Sequence, residues 1–105
     1  MQVQIHTDNH IEGTEAMAQW ASSTVKTALE RFAGQITRVE VHLSDENAGK
    51  KNTAESIQCT MEARLEGHQP LVLKHLGANL NQALEGAAEK MGRLIDSTLG
   101  RSART

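Results

Sequence analysis

Between Ile36 and Gly67 the chain alternates apolar and polar residues in two separate runs, and no other feature restricts its fold so strongly. Val39, Val41 and Leu43 fall on one side of the first run, with Arg38, Glu40 and His42 on the other. In the second run Ile57, Cys59, Met61, Ala63 and Leu65 alternate with Gln58, Thr60, Glu62, Arg64 and Glu66. Successive side chains of a strand point to opposite faces, so both runs read as strands with one buried and one wet face. The intervening segment, Asp45-Glu46-Asn47-Ala48-Gly49-Lys50-Lys51-Asn52-Thr53, is polar, carries a glycine and has no period, as a long hairpin loop does. The hairpin is therefore expected to be the spine of a sheet.

The rest of the chain supplies what such a sheet needs. Gln2 to His6 alternates over a short window and reads as a first strand, ended by the turn-prone Thr7-Asp8-Asn9-His10. Thr14 is placed to cap a helix, with Glu15 in its first turn where a carboxylate suits the dipole. Met17, Trp20, Ala21, Val25, Ala28, Leu29 and Phe32 then recur at the three-and-four spacing of one helical face, which predicts a helix of about five turns closing near Gly34. After a turn at Gly67-His68-Gln69-Pro70, Leu71 to His75 reads as a strand. Asn79 can cap a last helix whose apolar face is Leu80, Ala83, Leu84, Ala87, Met91, Leu94 and Ile95, with Gly100 just past its end. Gly86 and Gly92 inside that helix cost roughly 1 kcal/mol each against Ala, so a close-packing reason is expected for both.

Strand, helix, three strands, helix predicts an α+β fold: a two-layer sandwich in which two helices cover one face of a four-stranded sheet. The expected core is Val3, Ile5, Trp20, Val25, Leu29, Phe32, Val39, Val41, Leu43, Ile57, Cys59, Met61, Leu71, Leu73, Leu84, Met91, Leu94 and Ile95. The 105 residues fit one domain, taken as 1–99 with a short tail of 100–105. No apolar run approaches the ~20 residues of a membrane span, and the N-terminus lacks a basic-then-apolar leader. Together with the single cysteine, this leads to the expectation of a cytoplasmic protein without a membrane partner.

Chemistry is sparse. His6 and His10 stand four apart, but across a strand end and a turn rather than on a helix, so the five histidines read as scattered surface groups and no metal or other cofactor is expected. Strand parity puts Cys59 on the core face, away from any base that would activate it. No nucleophile elbow, phosphate-binding loop or dinucleotide fingerprint occurs, so an enzyme is not expected. The net charge is −2, whereas dedicated nucleic-acid binders are usually basic. Its distribution is uneven: three acids and no Lys or Arg precede Lys26, while Lys90, Arg93, Arg101 and Arg104 face Asp96 alone at the other end. Lys26, Arg31, Lys90 and Arg93, with Lys50 and Lys51 of the loop, could form a discontinuous phosphate-binding patch, or be part of a mixed surface with Glu30, Glu85, Glu89 and Asp96.

One ordered set of features carries a resemblance: the short first strand, the Thr14-Glu15-Ala16-Met17 helix start, Phe32 near the helix end, the Ile36-Thr37-Arg38-Val39-Glu40-Val41 strand, the long polar hairpin and the closing Ala-rich helix. To about Leu99 this set resembles the ribosome hibernation promoting factor family, also called ribosome-associated inhibitor or sigma-54 modulation proteins. The resemblance implies a β-α-β-β-β-α domain similar to a double-stranded RNA-binding domain with an extra leading strand. It also implies binding to the small ribosomal subunit where mRNA and tRNA would lie, which silences ribosomes in stress or stationary phase. Basic residues against rRNA phosphates would do the binding, here Lys26, Arg31, Lys90 and Arg93 on the helices and Arg64 and Lys74 on the strands. The opening of the last helix, Asn79-Leu80-Asn81-Gln82-Ala83-Leu84-Glu85, departs from the family in lacking its Tyr. A second reading keeps the scaffold without the ribosome: the exposed sheet or an edge strand would pair with a protein partner or a second copy, insensitive to salt.

Overall fold

The computed structural model describes residues 1–46 and 56–103, the side chains of 101–103 excepted. Its elements are β1 (Gln2–Thr7), α1 (Glu15–Ala28), a 3-10 turn (Glu30–Phe32), β2 (Ile36–Asp45), β3 (Ile57–Leu65), β4 (Leu71–Gly77) and α2 (Leu80–Ala103). The four strands form one sheet in the order β1-β2-β3-β4. β2, β3 and β4 pair antiparallel, while β1 runs parallel to β2, with α1 as the crossover that a parallel pair requires. Both helices lie on the same face, α2 over β3 and β4 and α1 beside it over β1, so the expected two-layer α+β sandwich is the fold. No helix of the described residues is long and apolar enough to cross a membrane.

The hairpin pairs Val39 with Ala63, Val41 with Met61 and Leu43 with Cys59, all facing the helices and at most 1% exposed. Ile36 is out of phase with this alternation, and a register shift between Ile36 and Arg38 corrects it. Thr37 is the extra residue; its hydroxyl donates to the Arg64 carbonyl at 3.0 Å. The irregularity turns Ile36 inward, where it is 3% exposed, although strict alternation left it out of the expected core. Glu46 N donates to the Ser56 carbonyl at 2.8 Å and so continues the pairing beyond Asp45. The remainder of the expected loop, Lys50 and Lys51 included, lies outside the described residues. At the other end His68 N donates to the Leu65 carbonyl, with Gly67 at φ +79°, the third position of a turn where a left-handed residue is needed.

The helix starts follow the local signals and the helix ends do not. Met17 N donates to Thr14 Oγ1 at 3.0 Å, and Gln82 N to Asn79 Oδ1 at 2.9 Å, so both expected caps are in place. Gln82 also accepts from Ala78 N, which makes the second start reciprocal. α1, however, stops at Ala28 instead of Gly34. Its last residues tighten into the 3-10 turn, with Phe32 N bonded to the Leu29 carbonyl and Ala33 N to that of Glu30. Three-residue spacing places Leu29 and Phe32 together on the core side, at 0% and 6% exposure. α2 runs through Gly100 to Ala103, beyond the end expected just before Gly100. Gly67 is the one described glycine with positive φ, so neither Gly34 nor Gly100 acts as a left-handed cap.

The core shifts toward small residues. Ala21, Ala63, Ala83, Ala87 and Ala88 are at most 1% exposed, as are the expected Val25, Leu29, Leu84, Met91 and Ile95. Val3, Ile5, Trp20, Ile57, Leu71, Leu73 and Leu94, expected in the core, pack around it but remain partly exposed. Of the two helix glycines, only Gly86 has the expected packing reason: a Cβ there would overlap the His75 ring. At Gly92 the nearest neighbour of a Cβ would be Leu29 Cδ2 at 3.8 Å, an ordinary contact.

Candidate functional site

Six cations were expected to share one phosphate-binding role, and the fold distributes them over several surfaces. Lys26 is exposed in the last turn of α1 and opens toward β1, beside Met1, Thr27, Glu30 and Ala33. Arg31 follows in the 3-10 turn, its guanidinium 4.6 Å from the centre of the Phe32 ring, a cation–π contact that restrains it. Lys90 lies on the opposite flank of the helical layer. Together with Lys74 of the edge strand β4 it lines a depression of about 390 Å³ that Gln58, His75 and Leu76 complete. Arg93 is exposed on α2 and bonded to Glu89, one turn before it, at 2.9 Å.

Between the helices runs a groove of about 670 Å³ lined by Trp20, Ser23, Thr24, Thr27, Ala28, Ala88 and the acids Glu85 and Glu89. Acids thus line the groove between the two helices. Lys74 and Lys90, sixteen residues apart in sequence, share one depression.

The open face of the sheet is the second polar surface. Strand register sets its side chains in rows: Gln2, Arg38 and Arg64; Gln4, Glu40, Glu62 and Val72; His6, His42, Thr60 and Lys74. Arg38 and Arg64 stand directly opposite one another, as do Glu40 and Glu62, arrangements that repel when isolated. Each strand relieves this with a bridge along its own length, Arg38 to Glu40 at 3.3 Å and Arg64 to Glu62 at 3.8 Å. Arg38 also donates to Gln4 Oε1 at 2.8 Å, tying β1 to β2. Partial burial pushes the Glu40 carboxyl upward, but the Arg38 charge and the contact with His6 outweigh it and hold the group below its ordinary value. Val72 and Leu76 stand beside these charges at 56% and 43% exposure.

Two histidines expected to be scattered are in fact neighbours. His6 pairs with His42 across β1 and β2, and the rings stack at 4.6 Å between centres, 17° from parallel. Parity alone put His42 and Glu40 on the wet face; that His6 joins them depends on the β1–β2 register, which no local pattern encodes. Arg38 was missed for the same reason. Cys59, by contrast, is where parity placed it: it is buried, and burial pushes its thiol up to about 12, which leaves it without nucleophilic character near neutral pH.

The family model described as sigma 54 modulation protein / S30EA ribosomal protein matches residues 3–102. No curated protein matches the chain. Among solved structures, the N-terminal domain of Protein Y from Thermus thermophilus superposes with a TM-score of 0.73 at 20% identity, covering 93% of this chain and 99% of that one. A ribosomal subunit interface protein from Coxiella burnetii superposes with a TM-score of 0.69 at 10% identity, covering 95% and 99%. At these identities the two structures establish the shared fold.

Proposed function

The chain belongs to the sigma 54 modulation protein / S30EA ribosomal protein family, and from that premise we propose that it associates with ribosomes in the cytoplasm. There it binds rRNA phosphates of the small subunit, occludes the decoding region and dampens translation in stress or stationary phase. The family match across residues 3–102 carries this reading. Similarity of fold to the ribosomal subunit interface protein from Coxiella burnetii supports it. The role is one of binding rather than catalysis.

A protein of net charge −2 can hold a polyanion only through local cationic patches, since its overall field repels one. The depression shared by Lys74 and Lys90 is the cationic patch that this reading rests on; Arg38 and Arg64 on the open sheet face are each bridged to a glutamate and would contribute less. Lys26 and Arg31 would contribute from the end of α1, and Arg93 less, because Glu89 already neutralises it. Each phosphate contact releases counterions, so affinity should fall steeply with salt. Sedimentation of the protein with ribosomes through sucrose gradients at low and moderate salt tests the proposal. Wild-type protein is expected to travel with the small subunit at low salt and to leave it at moderate salt. A Lys74→Glu/Lys90→Glu variant should lose most binding; replacing the same lysines by Gln should lower the log–log salt slope by about 2. Protein that stays at the top of the gradient at low salt would sink the proposal.

The exposure of Val72 and Leu76 on the edge strand β4 favours a second reading, association of two copies through that edge. A dimer that persists at high salt in sedimentation equilibrium, and is lost in Leu76→Lys, is its expected signature.

A further inference from the structure

His6, Glu40 and His42 form a compact group of potential metal ligands on the open sheet face. One ligand atom from each lies within 4.8 Å of the other two. His6 and His42 are direct partners in the β1–β2 register, and Glu40 precedes His42 by two residues, on the same face of the same strand. His6 Nε2 is 3.4 Å from Glu40 Oε1. We propose that this trio binds a divalent transition-metal ion, with Zn²⁺ as the cation that the donor set fits best.

The donor chemistry selects the class of ion. Two imidazoles and one carboxylate suit Zn²⁺ and its neighbours, whereas Mg²⁺ and Ca²⁺ require mostly oxygen. Ligands about 2.0–2.1 Å from a tetrahedral zinc stand about 3.3 Å from one another, close to the existing separation of His6 and Glu40. No ligand separation in the group exceeds 4.8 Å, so the atoms need to close by at most about 1.5 Å. Rotation of the exposed imidazoles about their side-chain bonds covers that distance, and the rings unstack as they turn. The backbone need not move, because all three residues sit on paired strands.

The surroundings hold the carboxylate for this purpose. Arg38 Nη2 lies 3.3 Å from Glu40 Oε1 and also donates to Gln4, so it positions Glu40 in the way outer-shell donors position metal ligands. Across the next pairing Glu62 opposes Glu40 and Thr60 opposes His42. Glu62 is bridged to Arg64 at 3.8 Å and stands outside the trio. With three protein ligands, a fourth position stays open to water on the solvent side.

Calorimetric titration of the full chain with ZnCl₂, with MgCl₂ in parallel, tests the assignment independently of any ribosome. The expected result is one Zn²⁺ per chain and no heat from Mg²⁺. His6→Ala, His42→Ala and Glu40→Gln should each weaken binding by about ten-fold or more, while His10→Ala and His68→Ala leave it unchanged. In the same titration, NMR should show the ring resonances of His6 and His42 shifting together. The assignment is overturned by an absence of saturable Zn²⁺ heat, or by binding that His6→Ala and His42→Ala leave intact. Because all three side chains stand on the open face, the unfolding midpoints of these variants report directly whether the fold has been kept.

Discussion

The two faces of the sheet are made by the same strands in the same register, and they solve opposite problems. Toward the helices, Val39, Val41, Cys59, Met61 and Ala63 have no exposure and no polar group in need of a partner. Toward solvent, Arg38, Glu40, Glu62 and Arg64 stand in like-charged rows that bridges along each strand, and contacts of Arg38 with Gln4 and of Glu40 with His6, relieve. Burial of apolar area contributes ~25 cal/mol per Å², whereas exposed ion pairs contribute about 0–1 kcal/mol each. Stability is therefore concentrated on the inner face. The outer face is left free to carry groups chosen for what they bind, at little cost to folding.

The largest test of this asymmetry is Met61→Ala. Met61 is a large, fully buried side chain on the central hairpin, and its truncation should cost about 2–5 kcal/mol in urea unfolding. A smaller loss would mean that the helical layer relaxes into the space and the inner face is less tightly packed than its burial indicates.

Paired glycine substitutions sharpen the comparison within the helical layer. A Cβ at Gly77 would lie 2.5 Å from the backbone nitrogen of Ala83, which cannot move aside, so Gly77→Ala should destabilise by about 1–3 kcal/mol. Gly92→Ala meets only an ordinary contact and gains helix propensity, so it should stabilise by up to about 1 kcal/mol. Thermal unfolding of both variants shows whether the signs are opposite; equal signs would contradict the packing described for α2.

Glu40→Gln should have the smallest effect and a distinctive pH profile. With the folded carboxyl held below its ordinary value of 4.5, its contribution is fully present above that pH and is lost as the pH falls through the lower folded value. Near neutral pH the variant should be slightly less stable than wild type, and the two should converge in acid. Denaturant midpoints from pH 7 to pH 3 check this, and a gap that stays constant would remove the ion pairs from the account of the outer face.

Much of this fold is legible along the chain because its signals are local. Alternation marked β2 and β3 and sorted their side chains by face; Thr14 and Asn79 marked both helix starts through hydrogen bonds spanning three residues. The helix ends were less legible. A glycine ends a helix only when it takes a left-handed conformation, and Gly34 and Gly100 do not. The Ile36 irregularity was hidden for a related reason, since a register shift is a property of two strands together.

The candidate sites divide along the same line. That Arg64 and His42 face solvent, and that Cys59 does not, follows from a period of two and needed only the sequence. That Lys74 and Lys90 line one depression, that Glu85 and Glu89 line the groove between the helices, and that His6 lies against His42 were decided by tertiary structure alone. Periodicity fixes the direction of a side chain relative to its own backbone, whereas its neighbours depend on which elements pair and in what register. Those choices are made by packing the whole core at once, and no single segment of the chain contains them.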